Sequence, residues 1–233
     1  KYLPTRSPGM SDKLSEWLNS AIRAGKVDEG YFQYQGSLLK GADAAARSLS
    51  LYFRVHDAEL AFQPGWPTLR EARGEVLIED SGVRVRVPEG RLLDSQVTDV
   101  NVAIPHVEPG QVARLGLQGQ VQSSVVDALK ILQETPLGTA DTFAGWRGEG
   151  PLTGKLNLDI PLAQGQPPRV QVDFATEGAR LLLSEPPLEL SQIKGAFRFD
   201  TATGLSAPDN RAQALGHALR GRAIAAGARG KAR

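Results

Sequence analysis

From Leu49 to Phe199, apolar residues recur at every second position over run after run, and this period of two constrains the fold more than any other feature. Successive side chains of a strand point to opposite faces, so such runs collect apolar groups on one face and leave the other to water. The runs are Leu49, Leu51, Phe53, Val55; Val76, Ile78; Val83, Val85, Val87; Val100, Val102, Ile104; and Leu115, Leu117. They continue as Leu156, Leu158, Ile160, Leu162; Val170, Val172, Phe174; Leu181, Leu183; and Phe197, Phe199. The intervening positions are polar, as with Arg84 and Arg86 or Asn157 and Asp159. After Val55 the phase slips near His56 and Asp57, and Ala58, Leu60 and Phe62 carry on at even numbers, so a β-bulge or a strand end is expected there. Asp80-Ser81-Gly82, Glu89-Gly90 and Thr203-Gly204 are short turn signals, which predict antiparallel neighbours joined in meanders.

Two segments follow helical spacing instead. Leu14, Trp17, Leu18, Ala21 and Ile22 form one stripe and predict a helix over 11–24, capped by Ser11 or Asp12 and ended by Gly25. Val125, Ala128, Leu129 and Leu132 predict a second helix from Ser124 to Glu134, stopped by Thr135-Pro136. The expected fold is therefore mainly β: an elongated, curved antiparallel β-sheet with an apolar groove-like face and two short amphipathic helices. Ala58–Phe62 with Gly74, and Ala179–Leu183 with Gly195, stand at a common offset of 121 (179 − 58 and 195 − 74), and Leu69 matches Leu190. This predicts two loose repeats at about 49–110 and 170–216 within one β-sheet segment spanning 1–216. Residues 217–233, with Arg220, Arg222, Arg229, Lys231 and Arg233 among Ala and Gly, are expected as a flexible tail.

The composition excludes several kinds of chemistry. Lys plus Arg number 27 against 26 for Asp plus Glu, a net charge of +1, so no field of one sign recruits nucleic acid. The absence of cysteine removes thiol nucleophiles, disulfides and Cys-based zinc sites. His56, His106 and His217 lie far apart and none has a partner at metal-ligand spacing. Asp57 and Glu59 have the spacing of a paired-acid site only if no bulge intervenes. The glycine-rich stretch Gly145–Lys155 has the wrong spacing for a phosphate loop, and Leu156 stands where a magnesium-binding hydroxyl is needed. In Gly204–Pro208 a proline replaces the second glycine of a nucleophile elbow. Phe32, Tyr34, Phe53 and Phe62 lack the basic groove of a single-strand binder. The chain is expected not to be an enzyme and to need no cofactor or metal. No run of about 18 apolar residues marks a transmembrane segment. A start at Lys1-Tyr2-Leu3-Pro4, without Met, suggests a fragment of a larger parent.

Several stretches resemble the AsmA-like YhdP family of large bacterial envelope proteins. They are Tyr2-Leu3-Pro4 with Trp17-Leu18, Gly25-Lys26-Val27 with Gly30, and Gln63-Pro64-Gly65-Trp66-Pro67 with Leu69 and Gly74. Thr135-Pro136-Leu137 and Gly145-Trp146-Arg147-Gly148-Glu149-Gly150, leading into Leu158-Asp159-Ile160-Pro161-Leu162, complete the set. The resemblance implies an inner-membrane-anchored protein whose bulk lies in the periplasm as a long β-sheet with an apolar groove, helping to move phospholipid toward the outer membrane. It brings no catalytic residues.

The residues themselves lead to the same expectation. A sheet with one apolar face must cover it with helices, a second sheet or an apolar guest, and two short helices cover only part. The expected groove lining is Phe53, Val55, Leu60, Phe62, Val76, Ile78, Val83, Val85, Val102, Ile104, Leu156, Leu158, Ile160, Val172, Phe174, Phe197 and Phe199. The expected partners are phospholipid acyl chains and the remaining segments of the parent protein. The competing reading is a structural or protein-binding β-module whose apolar face is sealed by its own helices.

Overall fold

A computed structural model describes residues 20–37, 47–108, 110–163 and 165–224. The strands are β1 (Ile22–Gly36), β2 (Arg47–Leu60), β3 (Leu69–Glu79), β4 (Gly82–Leu92), β5 (Ser95–Pro105) and β6 (Arg114–Ser124). After helix α1 (Val125–Glu134) come β7 (Arg147–Glu149), β8 (Pro151–Pro161), β9 (Arg169–Leu183), β10 (Leu188–Asp200), β11 (Gly204–Ala214) and β12 (His217–Ile224). All belong to one sheet in the order β1-β2-β3-β4-β5-β6-β8-β9-β10-β11-β12, with β7 pairing to β9 beyond the end of β8. Every pairing is antiparallel. The fold is mainly β, elongated and meandering, and its mixture of half-buried and exposed faces is consistent with a groove.

Eleven strands side by side, at about 4.8 Å each, would strain a flat sheet, and mid-strand bulges relieve this by bending and twisting their strands. Between Val55↔Gly74 and Ala58↔Ala72, β2 holds one extra residue, and Asp57 there takes φ +49°. Further shifts involve Glu71 of β3 (φ +52°), Asp99 of β5 (φ +52°), and Gly178 of β9 with Gln192 of β10 (φ +49°). The phase slip at His56 and Asp57 is thus a bulge, which keeps Leu51, Phe53 and Val55 on the same face as Ala58 and Leu60. The β2–β3 and β9–β10 pairs share their register: Phe53↔Val76, Val55↔Gly74, Ala58↔Ala72 and Leu60↔Leu69 answer to Phe174↔Phe197, Thr176↔Gly195, Ala179↔Ile193 and Leu181↔Leu190.

Two expectations are corrected. The first predicted helix does not reach Ala24: Ser20 and Ala21 are helical, but Ile22 begins β1, paired Ile22↔Leu60 and Ala24↔Glu59. Ladder hydrogen bonds to β2 override the local helical stripe, and Gly25, in place of a helix stop, lets β1 pass close over Ala58. Residues 11–19 lie outside the described residues. His217–Ile224, expected within a tail, forms β12 and pairs with β11 from Ala214↔His217 to Ser206↔Ile224.

Candidate functional site

The pairing register carries the apolar face from strand to strand. Phe53, Val76, Val85, Val102, Leu117, Leu158 and Val170 are successive partners across seven strands. Beside this row run Leu51, Ile78, Val83 and Ile104, with Leu115 opposite Ile160. On its other side Gly119, Leu156, Val172 and Phe199 are partners, followed by Gly90, Val97, Val121, Gly154, Phe174 and Phe197. The rings of Phe174 and Phe197 stack with centroids 5.1 Å apart and planes 10° apart. Val55 pairs with Gly74 and Leu60 with Leu69, whereas Phe62 lies past β2 in a loop, its ring 5.9 Å from Trp66. Thus sixteen of the seventeen expected lining residues lie on strands and Phe62 stands apart in a loop.

Val97, Val121, Leu117 and Val170 belong to the same rows and were absent from the expected lining. Leu117 and Val170 carried the alternation signal. Val97 was hidden because the bulge at Asp99 moves the inward phase from odd to even within β5, and Val121 because Gly119 interrupts the apolar run from Leu115 and Leu117.

This face is half-buried in place of sealed: Phe53, Val76, Val85, Val102, Leu117 and Leu158 are all of intermediate exposure, and Phe199 is 39% exposed. Among the described residues no large side chain is fully buried. The covered part is at one end, where α1 lies over the sheet. Ser124 caps the helix by accepting from the Asp127 N–H at 3.1 Å. Val125 and Leu129 then bury against Ala179, with Phe143, Trp146, Leu152, Leu181 and Ile193 around them. The buried Asp127 carboxylate accepts from the Ser95 hydroxyl at 2.5 Å and the Asp94 N–H at 3.0 Å, tying α1 to the β4–β5 turn.

Three of the sequence elements that suggested a family meet at this capped end. A Cβ on Gly65 would stand 3.3 Å from Pro136 Cδ, so the Pro-Gly-Trp-Pro loop abuts the Thr-Pro-Leu segment behind α1. Phe143 and Trp146 meet edge to face at 5.0 Å, and Gln133 donates to both of their carbonyls, at 2.7 and 3.0 Å. At Gly148 a Cβ would fall 2.5 Å from Val125 Cγ1, so only glycine lets the helix sit this close. These motifs build the cap, and the open rows are built by plain alternation.

The opposite face is a lattice of exposed ion pairs. Arg114 grips Asp159 with two bonds, at 2.7 and 2.9 Å, and this hydrogen bonding holds the Asp159 carboxyl below its ordinary range. Arg198 does the same to Asp173, Lys26 to Asp57 and Arg220 to Asp209. Asp57 is therefore tied to Lys26 at 3.0 Å at the bulge. Among the described residues no three His, Asp or Glu side chains converge on a point, and no helix is long and apolar enough to cross a membrane.

The described residues thus form an open-faced β-sheet protein, a single antiparallel layer with a half-buried apolar face and a helical cap at one end. The YhdP protein family matches residues 1–228, and the chain belongs to that family. It is 22% identical over 202 residues to the intermembrane phospholipid transporter YhdP of Escherichia coli (strain K12), an alignment that covers 85% of this chain and 16% of that protein. No solved structure matches the chain.

Proposed function

We propose that this chain is a non-catalytic segment of a phospholipid conduit between inner and outer membrane, holding acyl chains against its apolar sheet face in the periplasm. The observation that carries the reading is the row from Phe53 to Val170, which the described residues leave half-exposed. Seven strands at about 4.8 Å give this row a length of roughly 29 Å, against roughly 15 Å for one leaflet of a hydrocarbon core. An acyl chain therefore has room to lie along it. Each methylene removed from water contributes about 0.8 kcal/mol, so a chain laid on half-exposed Val, Leu and Phe gains stability without a directional contact. That suits cargo that must slide. Membership of the family and the name of the Escherichia coli relative support the same assignment.

The sealed-module reading fits only the α1 end, where Val125, Leu129 and Ala179 are buried. Native mass spectrometry of the purified chain tests the proposal together with crosslinking in cells from a photoreactive residue at Leu158, Val85 or Phe197. Co-purified phospholipid and lipid adducts are expected. Adducts to protein alone at all three positions would refute it.

A further inference from the structure

The water-facing side of the sheet holds a feature that lipid carriage does not use. A depression of about 620 Å3 opens there over Ala103 and Gly116. These two residues are strand partners, and with no side chain beyond a methyl group they leave a low floor between taller neighbours. Arg86, Asn101, Gln118 and Asn157 stand along one side, each opposite the next across four adjacent strands. Their planar end groups therefore file at about 4.8 Å intervals. Tyr52, half-buried and with its ring 6.0 Å from that of Tyr31, closes one end.

The side chains of this file are almost without partners among the described residues. Elsewhere on the same face Arg54 pairs with Glu29, Arg84 with Glu79, Arg114 with Asp159, and Arg198 with Asp173. The side chains of Arg86, Gln118 and Asn157 make no hydrogen bond or ion pair with any described residue. Asn101 donates only to the Asp99 carbonyl, at 2.9 Å, which leaves its own side-chain oxygen open. Arg86 lies directly across from Glu75 without an ion pair between them.

We propose that this depression is a binding subsite for a neutral oligosaccharide. A side-chain amide presents a donor and an acceptor in one plane, and a guanidinium presents coplanar donors, so a file of them can bridge adjacent hydroxyls of successive sugar units. The Tyr52 ring supplies an apolar surface for the C–H face of a sugar. The volume lies within the roughly 300–1,000 Å3 typical of small-ligand sites. Of the two guanidiniums lining the depression, Arg84 is already paired with Glu79 and Arg86 faces Glu75, so beside three neutral amides they make a poor anion trap, which favours an uncharged ligand over phosphate.

The test titrates the full chain with chitotetraose and maltotetraose, followed by NMR, with sodium tripolyphosphate as the anionic probe. Saturable binding of at least one tetrasaccharide is expected in the millimolar range. Gln118→Ala and Asn157→Ala should each weaken it about fivefold to tenfold, the effect of one lost hydrogen bond. Ala103→Trp, which fills the floor, should abolish it, with circular dichroism checking that the strands persist. If Ala103→Trp fails to fold, the two amide variants decide the matter. Failure of both tetrasaccharides to bind, binding unchanged in both amide variants, or binding of tripolyphosphate alone would overturn the proposal.

Discussion

Replacing Leu158 by Asp separates an open apolar face from a sealed one. Leu158 sits mid-row between Leu117 and Val170 and is half-buried. Complete burial of a leucine contributes about 1.5–3 kcal/mol, so losing this half-buried one should cost roughly 1 kcal/mol. The new carboxylate stays hydrated while the face is empty and adds little to that. In a chain of this size the loss lowers Tm by about 2–4 °C. In a sealed core the same carboxylate would be stripped of water at several kcal/mol, a large part of the usual 5–15 kcal/mol of stability. The assay pairs thermal unfolding of Leu158→Asp with lipid crosslinking from a probe at the neighbouring Leu156 in the parent protein. A near-native Tm with loss of the lipid adduct is expected. Thr153→Asp, on the exposed face of the same strand, is the control and should leave both readouts unchanged. Collapse of the fold by Leu158→Asp, or equal damage from Thr153→Asp, would refute the assignment of faces.

Gly148→Ala should destabilise the α1 end by about 1–3 kcal/mol in urea unfolding, because the added methyl meets Val125 Cγ1 at 2.5 Å and the Arg180 carbonyl at 2.6 Å. Asp127→Ala strips the Ser95 hydroxyl and the Asp94 N–H of their acceptor and should cost about 1–3 kcal/mol, read as faster hydrogen exchange at the β4–β5 turn. Asp159, Asp173 and Asp209 all have carboxyl pKa values lowered by hydrogen bonds from arginine. Their contribution is fully present above the unfolded-state value of about 3.9 and is lost as pH falls through the lower folded values. Since all three pairs are solvent-exposed, the effect is small. Urea midpoints should stay flat from about pH 8 to pH 5 and dip only below about pH 4, and a midpoint that rose on acidification would contradict the pairing.

Strand identity and facing were legible in the sequence wherever the alternation was long. Val83, Val85 and Val87 against Arg84 and Arg86 admit one reading, because a one-residue slip would put arginine on the apolar side. Helix α1 was equally legible, since its stripe, its Ser124 cap and the Thr135-Pro136 stop are all local signals. The reading of the glycine-rich stretch around Trp146 was also local: its spacing does not fit a phosphate loop, and the structure packs Trp146 against α1.

Other features depended on partners distant in sequence. Ile22–Ala24 have a helical pattern of their own and become strand because β2 offers them a ladder. His217–Ile224 carries almost no apolar alternation, and β11 alone makes it a strand. The bulges at Glu71, Asp99 and Gln192 are set by the register between neighbours, so the continuity of the apolar rows through Val97 and Val121 could not be read from any single run. The file of Arg86, Asn101, Gln118 and Asn157 spans 71 residues (157 − 86), and only the stacking of four strands makes it a file. Alternation determines which face a side chain takes, because it follows from the geometry of one strand. What stands beside that side chain is decided by strand pairing, which is long-range and leaves no local trace.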